Sequence, residues 1–158
     1  MIEEKKAFKV IGIERSFQYE EAFEKIPKFW DEYKGKIYNG FYKQQGYDIG
    51  CYGICMDVFG KEKSFKYLIA GPYREEKGKG VPEGLKVGTI PALTWIRFRC
   101  SGPMPEAIQN LNVRIYKEWL PLNHDYEIAS GYNIEVYESG DIRSSQYSSE
   151  IWLPIRKK

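Results

Sequence analysis

Residues Tyr147-Ser-Ser-Glu-Ile-Trp-Leu-Pro-Ile155 alternate between polar and apolar side chains, a pattern that predicts a β-strand. The aliphatic residues point to one face of this strand, whereas Glu150 and Trp152 point to the other. If the second face is covered, Glu150 is a buried anion beside an indole and needs a partner such as a cationic ligand. If that face is open, Glu150 is an ordinary exposed residue, and the strand alone favours this interpretation.

Two runs of elements with the same order lead up to and include this closing strand. Each run has the order strand, helix, strand, strand, and the predicted elements are residues 8–17, 19–33, 49–58 and 64–70, then 89–100, 101–120, 134–137 and 147–155. Segments 34–48 and 71–88 are predicted to be irregular connections, and Pro27 is predicted to kink or restart the first helix.

This repeated order predicts an α+β fold made of two βαββ modules, about residues 1–75 and 86–158, within one domain spanning residues 1–158. We expect the modules to be related by a pseudo-twofold axis. Their antiparallel sheets would then carry the helices on one face and leave a ligand cleft between the modules.

Composition excludes several classes of function. The net charge is +2 with acids and bases interspersed, so we expect no direct binding to DNA. We also expect a cytoplasmic protein with no membrane association, because neither a signal peptide nor a membrane-spanning run is apparent. The three cysteines and one histidine lack metal-ligand spacing, so no metal or cofactor is predicted. Phe, Tyr and Trp make up 16% of the chain, a content typical of sites that bind flat or cationic molecules.

Acidic and aromatic residues also occur together on the penultimate strand, where Glu135 and Tyr137 share a face. If the last two strands pair with their aliphatic faces together, this face adjoins that of Glu150 and Trp152. Trp95 on the predicted strand 89–100 could join them. Each of these residues also has an ordinary structural explanation, since Trp95 is suited to a hydrophobic core and Glu135 to the exposed face of a strand.

Several blocks of sequence resemble the GyrI-like small-molecule-binding domains, which include the effector-binding domain of AraC-type transcription regulators. The blocks are Val81-Pro-Glu-Gly-Leu85, Thr89-Ile-Pro-Ala92, Gly102-Pro-Met-Pro105, Glu118-Trp-Leu-Pro121, Tyr132-Asn-Ile-Glu-Val-Tyr137 and Glu150-Ile-Trp-Leu-Pro-Ile155. The resemblance implies two βαββ modules around a cleft that binds bulky, often cationic aromatic compounds through a buried Glu of the closing strand. Glu150 matches that acidic position by its place before Ile-Trp-Leu-Pro.

We therefore expect a stand-alone binding domain, a sensor or a sequestering protein, for a small hydrophobic or cationic molecule. The expected site has Glu150 as counter-ion and Glu135 as the next candidate, with walls from Trp95, Tyr116, Trp119, Tyr137 and Trp152. One alternative, which the same resemblance implies for some members of the wider GyrI-like group, is a small-molecule hydrolase that would use Glu150 with Tyr137 or Tyr116, although no catalytic residue is assigned. Another is an interaction module that inhibits a partner protein such as gyrase.

Overall fold

The computed structural model describes residues 1–38, 40–56 and 63–158, the side chains of residues 36–38 excepted. An antiparallel sheet carries the strand order β1-β6-β9-β8-β3-β4-β2-β5, with β7 paired to β9 beyond the end of β8. The strands are β1 (Ile2–Lys5), β2 (Phe8–Gln18), β3 (Tyr52–Met56), β4 (Ser64–Pro72), β5 (Lys86–Ile90), β6 (Leu93–Ser101), β7 (Tyr126–Ile128), β8 (Asn133–Tyr137) and β9 (Ser148–Lys157).

The helices follow the first strand of each module. A 3₁₀ turn, Tyr19–Glu21, leads into α1 (Ala22–Tyr38), and Glu21 accepts a hydrogen bond from the backbone N–H of Gln18 as a cap at 3.0 Å. The second helix starts as α2 (Glu106–Arg114) and continues through a π-helical turn at Ile115–Trp119 into α3 (Leu120–Leu122).

The two predicted βαββ modules are present. The first forms the strand group β3-β4-β2 and the second forms β8-β9-β6, and the two groups meet where β3 pairs with β8. The outermost strands are exchanged, because β1 of the first half pairs with β6 and β5 pairs with β2. This symmetrical antiparallel sheet with its helices confirms the α+β prediction and is consistent with a GyrI-like fold.

Three clusters of buried residues hold the elements together. One packs α1 on the first module, and a second packs α2 on the second module, both against the same face of the sheet. The third lies on the opposite face and joins Ile90 of β5 to Trp95 of β6, although these strands lie far apart in the sheet order. The sheet therefore curls around this third cluster, and the helices stay on the other face.

The predicted bounds of one strand and of the first helix differ from the structure. The predicted strand at 89–100 is divided at Pro91-Ala92, and its first part belongs to β5, which begins inside the segment predicted as a connection. Pro91 has no backbone N–H to donate, so it breaks the pairing there. The first helix runs through Pro27 without ending and extends to Tyr38. Residues 57–58 of the predicted strand 49–58 lie outside the described residues.

Within the described residues, no helix is long and apolar enough to cross a membrane.

Candidate functional site

Glu135 occupies the middle of the helix-bearing face, on the central strand β8. Its carboxylate accepts a hydrogen bond from the Tyr67 hydroxyl at 2.7 Å, and the Tyr137 hydroxyl donates a second one. The Tyr67 hydroxyl in turn accepts a hydrogen bond from the indole N–H of Trp30 on α1 at 2.8 Å. Three aromatic side chains from α1, β4 and β8 therefore fix the orientation of one carboxylate.

Gly53 on β3 makes room for this arrangement. It lies directly across the strand pair from Glu135, and a Cβ atom added to it would lie 2.8 Å from Glu135 Oε1 and would collide with the Tyr67 hydroxyl. Glycine inside a strand is often a sign of such a close approach. The small residue at position 53 is therefore part of the site.

Burial sets the ionisation of this group of side chains. Burial raises the pKa of the Glu135 carboxyl, and the two tyrosine hydrogen bonds act in the opposite direction. The pKa values of Tyr67 and Tyr137 are raised well above the usual range by burial and by the neighbouring carboxylate, so both phenols stay protonated donors. Burial also raises the pKa of the neighbouring Cys55 thiol, which stays neutral.

A cleft of about 290 Å³ lies above Glu135, between α1 and α2. Its walls are mostly apolar or aromatic, and the described residues that line it are Tyr19, Ala22, Phe23, Ile26, Pro27, Cys55, Phe65, Pro105, Ile108, Gln109, Asn112, Tyr116, Asn133, Glu135, Tyr137 and Ile151. Of these, Glu135 alone carries a formal charge. The cleft is thus an apolar, aromatic cavity with one acidic group at its floor.

A hydrogen bond from a side chain of α2 connects the two helices at the edge of this cleft. Pro27 lies inside α1 and has no N–H, so the carbonyl of Phe23, four residues earlier, lacks its helical partner. Gln109 of α2 supplies one, because its side-chain amide donates a hydrogen bond to the Phe23 carbonyl at 3.1 Å. The carbonyl that Pro27 leaves without a helical partner is therefore hydrogen-bonded by a residue of the other module.

The structure brings some of the predicted site residues together and separates others. Glu135, Tyr137 and Tyr116 line the cleft. Trp119 packs edge-on against Phe98, with ring centroids 5.1 Å apart, and is not among the residues that line the cleft. Glu150, Trp152 and Trp95 lie on the opposite face of the sheet.

The pairing of β8 with β9 explains this separation. Ile134 lies across from Trp152 and Val136 across from Glu150, whereas Glu135 lies across from Ile151. Residues directly opposite each other share a face. The expectation that the aliphatic faces of the two strands coincide is therefore wrong, and the two glutamates point to opposite sides of the sheet.

Glu150 has a partner within the protein itself. Arg97 donates a hydrogen bond to Glu150 at 2.9 Å and another to Glu3 of β1 at 3.1 Å, and its guanidinium lies 4.7 Å from the centre of the Trp152 ring. The Glu150 side chain is only 19% exposed. Glu150 is thus a partly buried carboxylate beside an indole, and the cation paired with it is an arginine of β6.

Tyr67, Trp30 and Cys55 were not anticipated as site residues. Tyr67 comes from the middle of an apolar strand and Trp30 from an apolar helix stripe, patterns that indicate core residues. Gly53, inside the strand next to Glu135, was the available sign of a crowded site. No group of three or more His, Cys, Asp or Glu side chains suited to a metal ion occurs in the described part of the chain.

A comparison with family models matches residues 1–155 to Cass2, the integron-associated effector binding protein. A search of curated proteins gives no significant match. Among solved structures, SAV2435 bound to tetraphenylphosphonium is similar with a TM-score of 0.79 and 21% sequence identity, over 99% of this chain and 93% of that chain.

Two further structures share the fold. An integron cassette protein from the mobile metagenome of Vibrio cholerae has a TM-score of 0.72 and 16% identity, over 99% of this chain and 95% of that one. The EcmrR chain of an EcmrR–DNA complex has a TM-score of 0.61 and 18% identity, and the match covers all of this chain but 57% of EcmrR. At these identities the similarity establishes the fold.

Proposed function

The chain belongs to the family of integron-associated effector binding proteins, and from this premise we propose that it binds small aromatic cations in the cleft above Glu135. The observation that carries the proposal is the single carboxylate at the floor of an apolar, aromatic cleft. Its hydrogen-bond donors are neutral phenols, so its negative charge is not neutralised by a cationic side chain there. A cationic ligand would supply the missing charge.

The walls of the cleft suit a flat or bulky ring system. Tyr19, Phe23, Phe65, Tyr116 and Tyr137 line it, and each well-placed ring contributes roughly 0.5–2 kcal/mol to the binding of a cation. Stacking on such rings tolerates ligands of different shapes, whereas Glu135 selects the sign of their charge. The related SAV2435 is described as bound to tetraphenylphosphonium, a bulky aromatic cation.

We also propose that binding is the biological task, either as a sensor in transcription regulation or as a protein that sequesters such compounds. Membership of an effector-binding family supports this proposal. The similarity to EcmrR, which is seen in a complex with DNA, adds a link to regulation. The match covers 57% of EcmrR, so the shared fold is one part of that longer protein.

The direct test compares two ions of nearly the same shape and opposite charge, tetraphenylphosphonium and tetraphenylborate, by isothermal titration calorimetry. We expect the protein to prefer the cation. Glu135→Gln keeps the size of the side chain and removes its charge, so it should weaken binding of the cation by at least about tenfold, or roughly 1.4 kcal/mol. The same variant should bind the anion no more weakly than the unmodified protein does.

Glu127→Gln is the matched control, because the carboxylate of Glu127 on β7 is 46% exposed and paired with Arg156 of β9, away from the residues that line the cleft. Circular dichroism and thermal unfolding establish that each variant is folded. Equal affinities of the protein and of Glu135→Gln for tetraphenylphosphonium would refute the proposal.

A further inference from the structure

We infer that the cleft above Glu135 is one of two adjoining compartments, and that the second, larger compartment binds the uncharged apolar tail of an elongated ligand. This inference rests on the proposed function, because it places the cationic head of that ligand at Glu135. Trp30, at the boundary between the compartments, would then determine which ligand lengths are accepted.

The larger compartment has a volume of about 620 Å³ and lies beneath the second half of α1. From α1 it is lined by Trp30, Asp31 and Lys34, whereas the compartment above Glu135 is lined by earlier residues of the same helix, from Ala22 to Pro27. Tyr137 and Pro105 line both compartments. The two spaces therefore follow one another along a single helix.

The contact between Trp30 and Tyr137 marks the boundary. Their rings meet edge to face with centroids 5.1 Å apart, and both side chains are only half-buried. Trp30 also donates its indole N–H to Tyr67, which holds the Glu135 carboxylate. A ligand that reaches from Glu135 into the larger compartment has to pass these two rings.

Apolar and aromatic side chains form the interior of the larger compartment. Tyr42, Tyr47 and Tyr147 are each no more than 7% exposed, and Ile49 and Met104 add aliphatic surface. The hydroxyl of Tyr147 already donates to the backbone carbonyl of Glu138 at 2.6 Å, which leaves its ring as the surface available to a ligand. Such an interior favours an uncharged tail.

The charged residues of this compartment lie at its exposed rim and have both signs. Asp31, Asp48 and Lys43 are exposed, and Lys34 is half-buried. Glu138 is exposed and paired with Arg99 at 3.3 Å. Because acids and bases are mixed here, this compartment has no reason to select a second cation, in contrast to the one above Glu135.

The volumes of the two compartments support the assignment of the cationic head to one and of the apolar tail to the other. The compartment above Glu135, at about 290 Å³, is at the lower end of the range of roughly 300–1,000 Å³ that ligand sites occupy. It suits one compact ring system. A longer molecule needs the larger compartment as well.

The experiment uses a series of monocations that share one head group, from N-methylquinolinium to N-(phenylalkyl)quinolinium ions with longer spacers. Calorimetric affinities are measured for the full chain and for Ile142→Trp and Ile142→Ala. Ile142 lines only the larger compartment, so a tryptophan fills it and an alanine leaves it open.

We expect Ile142→Trp to weaken the long-tailed ions by at least tenfold and to change the affinity for N-methylquinolinium by less than twofold, while Ile142→Ala retains binding of both. Trp30→Ala and Trp30→Phe both lose the indole N–H, but Phe keeps a ring at the boundary between the compartments. Trp30→Ala should therefore raise the affinity for the long-tailed ions, relative to that for N-methylquinolinium, more than Trp30→Phe does. If Ile142→Trp is poorly folded, Asp31→Trp introduces a tryptophan at an exposed position beside the same compartment.

The outcomes separate the two proposals. If N-methylquinolinium binds through Glu135 but Ile142→Trp and Asp31→Trp leave the long-tailed ions unaffected, the second compartment is not a tail site and the proposed function stands. If N-methylquinolinium does not bind, or binds equally well to Glu135→Gln, the proposed function fails and this inference fails with it.

Discussion

The binding role proposed for Glu135 depends on the residues that surround it. A carboxylate on a central strand would ordinarily be costly to bury. Here Tyr67 and Tyr137 satisfy its oxygens with neutral donors, and Gly53 leaves the space that they need. The charge itself is not neutralised by these contacts, so a cationic partner gains most from it.

The raised pKa of Glu135 predicts a specific dependence of stability on pH. Below the ordinary pKa of a glutamate, about 4.3, both the folded and the unfolded chain hold the proton, and Glu135 costs no stability. Between that pH and the raised pKa of the folded state, the unfolded chain loses this proton while the folded chain keeps it, so a rise in pH favours the unfolded chain. The stability of the protein relative to Glu135→Gln should therefore fall over this interval and then level off. Urea unfolding of both proteins between pH 4 and pH 8 measures the difference, and a constant difference would contradict the assignment.

Sequence alone predicted a glutamate among aromatic residues but could not show which of two glutamates lies in the cleft between the helices. The alternation of residues along β8 correctly predicts that Glu135 and Ile134 point to different faces of the sheet, and the alternation along β9 does the same for Glu150 and Ile151. Which face lies under the helices depends on the pairing of the strands, and a shift of one residue exchanges the faces. Glu150 was ranked first because of its neighbours in sequence, whereas the structure pairs it with Arg97.

At the scale of elements, α1 depends on the other module at its proline. The sequence predicted a kink or restart at Pro27, and the structure shows that α1 does not restart there. The reason could not be seen locally, because the side chain that satisfies the Phe23 carbonyl is Gln109, 86 residues away in sequence.

This contact predicts a coupling between Gln109 and Pro27. Gln109→Ala should lower the free energy of unfolding by about 0.5–1 kcal/mol, the usual net value of one hydrogen bond. In a Pro27→Ala background the new backbone N–H bonds the Phe23 carbonyl, so Gln109→Ala should then have almost no effect. Denaturant unfolding of the four proteins in this double-mutant cycle gives the coupling energy. Asn110→Ala, at the exposed neighbouring position of α2, controls for helix propensity, and additive effects of Gln109 and Pro27 would show that the bond adds nothing to stability.

At the scale of the whole molecule, one sheet packs against the helices on one face and curls around a separate buried cluster on the other. The order of elements in each module was predicted from local periodicity, and it is correct because helix and strand patterns are local properties. The positions of β1 and β5 were not predictable, since each pairs with a strand of the other module and Glu3, for example, lies across from Trp95. The curl of the sheet follows from this exchange of edges, and it buries Trp95 and Trp152 on the face away from the helices.

The position of Glu150 on the face away from the helices predicts that this residue contributes to stability and not to binding in the cleft. Glu150→Gln leaves Arg97 with one carboxylate partner, Glu3, beside the Trp152 ring. Because both side chains of the Arg97–Glu150 pair are less than one-third exposed, its loss should cost about 1 kcal/mol, more than the loss of an exposed pair.

The affinity for tetraphenylphosphonium should change by less than twofold in Glu150→Gln, because the side chain lies on the face opposite the cleft. Urea unfolding and calorimetry on the same samples measure both effects, with Glu127→Gln as the exposed, ion-paired control and Glu135→Gln as the variant expected to lose binding. The decisive comparison is between Glu150→Gln and Glu135→Gln, because each variant removes one negative charge. If Glu150→Gln abolished binding while Glu135→Gln preserved it, the cation site would lie among the tryptophans on the opposite face of the sheet, and the cleft between the helices would need another role.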